Sequence, residues 1–134
     1  MVNFSKSTIK KMKQYLFKAI STNTKDMRTG LILTIDDQQY VFNTPDGFQR
    51  QCLFHNVSFG RSKYVFVSSL QPNYFAGFPG FYMSAREDMR GNIGLQSSNI
   101  FVMTVLGPQG LTNKLLNSFN FMGRMRNLRT IEFT

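Results

Sequence analysis

The pattern of apolar and polar residues predicts a series of strands in the central part of the chain. Residues 30–36 (GLILTID) and 40–43 (YVFN) are short apolar runs on either side of the turn sequence DQQ, which predicts a β-hairpin. Residues 62–69 (SKYVFVSS) and 99–107 (NIFVMTVLG) are mostly apolar without alternation, as is typical of strands buried on both faces. The pattern therefore predicts a hairpin followed by two central strands.

Helical patterns lie between and after these strands. Thr44 and Pro45 favour the start of a helix over TPDGFQRQCLF, and AGFPGFYMSARED mixes helix and turn signals. In the later stretch GLTNKLLNSF, Leu111, Leu115 and Phe119 recur at helical spacing. Alternation of helices and strands is typical of α/β proteins, so one mixed sheet with flanking helices is the predicted architecture.

The N-terminal stretch SKSTIKKMKQYLFKAIST is predicted to form a basic amphipathic helix. Ile9, Met12, Leu16 and Ile20 follow helical spacing, and lysines fill the other positions. Three interpretations stay open: a helix that docks on protein, a mitochondrial targeting segment that is retained, and a helix that lies on a membrane surface. The second of these predicts a mitochondrial protein, with a cytoplasmic or nuclear location as the alternative.

Positive charge is concentrated at the two ends of the chain. Sixteen Lys and Arg face seven Asp and Glu, a net charge of +9, and the first 25 residues hold six lysines without an acid. Such a balance favours nucleic acid, anionic lipid or an acidic protein as partner. The predicted RNA or partner contacts are Lys10, Lys11, Lys13, Arg124, Arg126 and Arg129.

The chain has one cysteine, Cys52, and one histidine, His55, so neither an internal disulfide nor a zinc site built from these two residues alone is expected. We interpret Cys52 as a small buried apolar residue and His55 as a residue at a helix end. A run of about 18 apolar residues, as a membrane-spanning helix needs, does not occur. The N-terminus also lacks the apolar stretch of a secretory signal.

Three stretches, in order and at the right separation, resemble the tRNase Z family of the metallo-β-lactamase superfamily. They are YVFNTPDGFQRQ, VFVSSLQPNYFAGFPGF and VLGPQGLTNKLLNSF, and the resemblance covers residues 30–122. It implies a sandwich of two sheets between helices. It also implies an ancestry among enzymes that trim the 3′ ends of precursor tRNAs with two zinc ions.

The family's histidine motif, which supplies zinc ligands at four positions, is degenerate in this sequence. The resemblance places Ser69, Gln71, Asn73 and Tyr74 at those positions, and none of these residue types is a good zinc ligand. The surrounding scaffold residues are retained at Gly77, Pro79 and Gly80. The expectation is a loop that keeps its shape without metal, cofactor or catalysis, as in the degenerate N-terminal half of long-form tRNase Z enzymes.

We expect three segments: a basic helix and linker over residues 1–28, a tRNase Z-like domain over 29–122, and a basic C-terminal tail over 123–134. The domain would form about half of a metallo-β-lactamase sandwich. Its one sheet would expose an apolar inner face, because such a face normally packs against a second sheet. Protein subunits of a large complex are therefore the predicted cover of that face.

These observations favour a non-catalytic structural subunit of a larger, mitochondrial assembly, such as a ribosome, an RNA-processing particle or a respiratory complex. The alternatives are an RNA-binding module and the non-catalytic half of a tRNA 3′-processing endonuclease. A nuclease completed by a second chain, and an unrelated α/β binding domain, are further hypotheses.

Overall fold

Six strands form one mixed sheet in the computed structural model, which describes residues 13–22, 25, 27–92, 101–120 and 127–134. The strands are β1 Tyr15–Ser21, β2 Gly30–Ile35, β3 Gln38–Phe42, β4 Ser62–Phe66, β5 Met103–Pro108 and β6 Leu128–Phe133. The helices are α1 Phe48–Phe54, α2 Pro72–Phe75, α3 Phe78–Asn92 and α4 Leu111–Ser118, with a 3-10 turn at Phe59–Arg61.

The strands follow one another across the sheet in chain order. β1, β2 and β3 pair antiparallel, and the turn between β2 and β3 contains Asp36 with a positive φ of 54°. β3, β4, β5 and β6 pair parallel. Parallel neighbours need a crossover, and helices α1, α3 and α4 lie in the three connections. The predicted hairpin and the two central strands are therefore confirmed.

The helices pack on one face of the sheet and form the core there. Ile32, Val41, Val65 and Val105 point to this face from four adjacent strands, and all four are buried. Alternate positions on a strand face opposite sides, which explains why their neighbours in sequence are less buried. The helices contribute Phe48, Phe81, Tyr82, Leu111 and Leu115 to the same cluster.

The predicted N-terminal helix is wrong over Tyr15–Ser21, which forms edge strand β1. The segment pairs antiparallel with β2, with Phe17 opposite Leu33 and Ala19 opposite Leu31. The backbone hydrogen bonds and cross-strand contacts of that pairing favour a strand despite the helical spacing of apolar residues. The first half of the predicted helix, with Lys10 and Lys11, lies outside the described residues. No helix among the described residues is long and apolar enough to cross a membrane.

The predicted C-terminal tail is also wrong over Leu128–Phe133, which forms the other edge strand, β6. Six consecutive residues of β6 pair with β5, from Leu128 beside Met103 to Phe133 beside Pro108. Arg129 therefore lies in the sheet and not on a free arm. Parallel pairing with a strand more than 20 residues earlier cannot be recognised from the local sequence RNLRTIEFT.

Glu132 of β6 caps the start of α4. Its carboxylate accepts hydrogen bonds from the backbone N–H groups of Gly110 at 2.9 Å and Thr112 at 2.8 Å. These are donors that a helix N-terminus leaves unpaired, and negative charge is favourable there. Hydrogen bonds from the Thr112 side chain and from these two backbone groups lower the pKa of the Glu132 carboxyl below its ordinary value of 4.5.

The lowered pKa predicts a pH-dependent contribution to stability. A depressed carboxyl pKa stabilises the fold above the unfolded value of 4.5, and the contribution is lost as pH falls through the lower folded pKa. We expect Glu132→Gln to lower the free energy of unfolding in urea at pH 7 and to flatten its decline below pH 4.5. Glu87→Gln, which alters an exposed carboxylate paired with Arg90, is the control. Parallel pH profiles for Glu132→Gln and the wild type would contradict the capping role.

Candidate functional site

The loop that carries the degenerate motif begins where β4 ends, and Asn43 anchors its first residues. The Asn43 side-chain oxygen accepts hydrogen bonds from the backbone N–H of Ser68 at 2.8 Å and from its hydroxyl at 3.0 Å. The backbone N–H of Asn43 donates to the carbonyl of Phe66 at 2.7 Å. Asn43 has a positive φ of 60°, a conformation that asparagine tolerates better than most residues. The segment after β3 therefore positions the segment after β4.

The far side of the loop is anchored by Thr44, the residue that follows Asn43 after β3. The backbone N–H of Thr44 donates to the carbonyl of Tyr74 at 2.8 Å, and that of Gly77 donates to the carbonyl of Thr44 at 2.9 Å. A Cβ at Gly77 would overlap the carbonyl oxygen of Pro45, so this close approach requires glycine. The loop is thus held at both sides by hydrogen bonds that do not involve a metal ion.

The four motif positions present neutral side chains. Ser69 and Tyr74 are half-buried, and Gln71 and Asn73 are exposed. The Ser69 hydroxyl accepts a hydrogen bond from the backbone N–H of Gln71 at 3.3 Å. Zinc in proteins is held by thiolate, imidazole or carboxylate groups. Hydroxyl and amide oxygens do not supply the negative charge or softness of such a set. The donor set at this loop therefore does not fit the two zinc ions of the enzymes it resembles.

The histidine and the cysteine lie away from the loop. His55 follows the last residue of α1 and is exposed, which agrees with its interpretation as a residue at a helix end. Cys52 is fully buried in the core, and burial raises the pKa of its thiol to about 12. A thiol with such a pKa is neither a good nucleophile nor a ready metal ligand at neutral pH. In the described residues, no three His, Cys, Asp or Glu side chains cluster as a metal site would require.

An open groove of about 870 Å³ lies between the loop and α4. Its apolar wall comes from the loop and α2, and its polar wall comes from α4. Lining residues include Leu70, Pro72, Phe75, Asn113, Lys114 and Asn117. Neutral amides and one lysine therefore border the space next to the degenerate motif.

The predicted RNA-contacting residues are not brought together in the described part of the chain. Lys13 is exposed just before β1, and Arg129 is exposed on β6. These strands are the two opposite edges of the sheet. Lys10, Lys11, Arg124 and Arg126 lie outside the described residues. Contact of these six residues with RNA or a protein partner stays a prediction.

The sheet face opposite the helices carries an ordered apolar surface, which we call the open face. Twelve residues form two rows that cross all six strands, and none of them is buried. The first row is Phe17, Leu33, Tyr40, Tyr64, Thr104 and Arg129. The second row is Ala19, Leu31, Phe42, Phe66, Leu106 and Ile131.

Aromatic stacking orders the centre of the open face. The rings of Tyr40 and Tyr64 stack at 5.5 Å, and those of Phe42 and Phe66 stack at 5.0 Å. Towards one edge Phe17 is 63% exposed, and towards the other Ile131 is 40% exposed. Six strands spaced about 4.8 Å apart and about 20 Å long give this face roughly 500 Å². That is about the size of the largest apolar patch on a soluble monomer, which is often functional, and more than half of one side of a standard protein interface.

The sequence predicted an uncovered apolar face but missed the residues at its two edges. Phe17 and Ile131 lie on β1 and β6, where the sequence pattern predicts a helix and a tail. The alternation of polar Thr130 and Glu132 with apolar Ile131 and Phe133 was the available signal for a strand, although not for its pairing with β5.

Comparison with solved structures shows which class of fold this is. Human tRNase Z, short form, superposes with a TM-score of 0.64 at 18% identity, over 90% of this chain and 44% of that chain. The metallo-β-lactamase fold protein YhfI from Bacillus subtilis gives a TM-score of 0.58 at 12% identity, over 88% of this chain and 45% of that chain. The chain therefore has a partial metallo-β-lactamase-like fold that corresponds to about half of these structures.

Sequence comparison shows which family within this fold class the chain resembles. The sequence profile of the tRNase Z endonuclease family matches residues 18–73. Mitochondrial tRNase Z TRZ3 of Arabidopsis thaliana is 27% identical over 112 residues, which are 83% of this chain and 12% of that protein. Ribonuclease Z of Staphylococcus carnosus is 26% identical over 94 residues, which are 67% of this chain and 28% of that protein. These matches confirm the resemblance to the tRNase Z family: the chain is tRNase Z-like and spans a minor part of its relatives' length.

Proposed function

We propose that this chain is a non-catalytic, tRNase Z-like structural subunit of a larger assembly. The observation that carries the proposal is the loop after β4. Asn43 and Thr44 hold its backbone in place, yet Ser69, Gln71, Asn73 and Tyr74 occupy the positions of the family's zinc ligands. A loop that is anchored by hydrogen bonds and carries neutral side chains supports a scaffolding role more than a hydrolytic one.

The chemistry of phosphodiester cleavage explains why the substitutions matter. In two-metal hydrolysis the metals stabilise both the attacking and the leaving oxygen. The four side chains at the motif cannot replace that charge, and the only described histidine, His55, is at the end of α1. We therefore derive no hydrolytic step for this chain.

The open face supports membership of an assembly. Covering roughly 500 Å² of apolar surface at about 25 cal/mol per Å² corresponds to about 12 kcal/mol as an upper bound. Association costs offset much of this, and the surface amounts to more than half of one side of a standard protein interface. Two tRNase Z relatives from Arabidopsis thaliana carry the description mitochondrial, and these support a mitochondrial host such as an RNA-processing particle, a ribosome or a respiratory complex.

A second candidate is the non-catalytic half of a tRNA 3′-processing endonuclease. The match to long tRNase Z proteins, of which this chain spans 11–12%, favours it. In that case the basic residues, Arg129 among them, would contact tRNA phosphates. Binding of precursor tRNA should then weaken steeply between low and moderate salt, since phosphate contacts release counterions. Affinity that does not change with salt would argue against this candidate.

Metal analysis tests the non-catalytic proposal directly. We expect the chain, purified without chelator, to hold zinc well below one ion per chain and not to cleave precursor tRNA. The comparison variant combines Ser69→His, Gln71→His, Asn73→Asp and Tyr74→His, which restores imidazole and carboxylate donors on the same loop. We expect at least a tenfold gain in zinc affinity, equivalent to about 1.4 kcal/mol. Two tightly held zinc ions in the wild type, or cleavage by it, would refute the proposal.

A further inference from the structure

The open face contains one charged side chain. Arg129 ends the first row next to Thr104, and the other residues of both rows are uncharged. In the described part of the chain the two recorded ion pairs involve Arg61 and Arg90, not Arg129. The neighbouring carboxylate, Glu132, points to the helical side of β6 and caps α4. Arg129 is therefore an exposed guanidinium at the edge of an otherwise apolar surface.

Any protein that covers the open face must accommodate this charge. Arginine can lay its aliphatic part along apolar surface, but its guanidinium needs acceptors once water is removed. A carboxylate meets that need best, because it can accept two parallel hydrogen bonds from the guanidinium. Thr104, beside Arg129 on β5, offers a hydroxyl but no charge.

A second copy of the chain does not provide the carboxylate. Neither row of the open face contains an acidic residue, so a face-to-face dimer would place Arg129 against apolar side chains or against another arginine. On β2 and β3 the acidic residues, Asp36 and Asp37, lie in the turn between the strands and outside both rows. Asp36 is the third residue after Leu33 of the first row, about 10 Å further along the strand. Two chains of net charge +9 would also repel each other.

We infer that the open face is the docking site for a different protein chain, whose apolar surface carries one aspartate or glutamate opposite Arg129. The inference rests on the proposed structural role and specifies the chemistry of the partner. The apolar rows provide the contact area, and the Arg129–carboxylate pair fixes which way the partner lies across the strands. Such pairs commonly set register and reject wrong partners.

A photocrosslinking experiment in the native cell tests the inference. The tagged full chain carries a benzophenone amino acid at Ile131 or at Phe66, both on the open face. We expect adducts with another protein, and the Ile131 adduct should map near an Asp or Glu. Arg129→Glu should reduce the Ile131 adduct at least tenfold, and Arg129→Lys should reduce it less. Arg50→Glu makes the same charge change on α1, outside the open face, and should leave the adduct unchanged.

The outcomes separate the inference from the proposed function. Adducts with a second copy of the chain, or adducts that persist in Arg129→Glu, would overturn the inference. They would still show that the open face is covered, as the proposed structural role requires. The absence of adducts from both positions would show an uncovered face and would overturn the structural role as well. Recovery of the Arg129→Glu adduct when the partner's acidic residue is changed to arginine is the expected confirmation.

Discussion

Gly77→Ala is expected to unfold the protein or to destabilise it by about 3 kcal/mol, the upper part of the range for overpacked sites. The new methyl group would overlap the carbonyl oxygen of Pro45 and lie 3.2 Å from that of Thr44. Both are backbone atoms, so they cannot rotate away as a side chain would. The loop would have to leave the segment after β3 and lose the hydrogen bond from Gly77 to Thr44. With a total stability of about 5–15 kcal/mol, this is a large fraction.

Gly91→Ala is the matched control, because a Cβ there meets no atom within 4 Å. Gly91 lies near the end of α3, where alanine is the better helix former by about 0.5–1 kcal/mol. We expect this variant to be as stable as the wild type or slightly more so. Urea unfolding followed by circular dichroism measures both. A Gly77→Ala midpoint equal to that of the wild type would show that the loop is not anchored as described.

The anchoring of this loop could not be predicted from the sequence, although the degenerate motif could. Replacement of the ligands was visible from the residue types at Ser69, Gln71, Asn73 and Tyr74. The hydrogen bonds from Ser68 to Asn43 join residues 25 positions apart, and such contacts leave no local pattern. The loop's shape is therefore determined by the parallel neighbouring strand.

The two edge strands show a different limit. In KQYLFKAIS, Leu16 and Ile20 are spaced for a helix, while Tyr15, Phe17 and Ala19 alternate as in a strand. The segment is compatible with both the helical and the strand period, and its pairing with β2 determines that it forms a strand. The apolar runs that form β4 and β5 were predictable as strands, but their predicted burial on both faces is wrong, because one face of each strand belongs to the open face. Edge strands carry charge, which makes them resemble tails.

A double substitution on the open face, Phe17→Lys with Tyr64→Lys, is expected to abolish incorporation into the native assembly. Both side chains lie in the first row, and they are 63% and 39% exposed. Each substitution replaces an aromatic contact with a lysine. If the face is then covered, the lysine charge is buried in an apolar interface without a partner, which is costly. At about 2 kcal/mol for each substitution, the pair should weaken association by at least several hundredfold. The isolated chain should meanwhile bind less of an apolar dye such as ANS.

The fold itself should tolerate this double substitution, which is what makes the test specific. Phe17 and Tyr64 point away from the helices, so the core around Val41 and Val65 is not changed. The thermal midpoint of the isolated chain should stay close to that of the wild type. Leu116→Lys, which adds a lysine at a residue of α4 that is 54% exposed, should leave incorporation intact. Normal incorporation of the double variant, measured by quantitative co-purification, would mean that the assembly forms without covering this face.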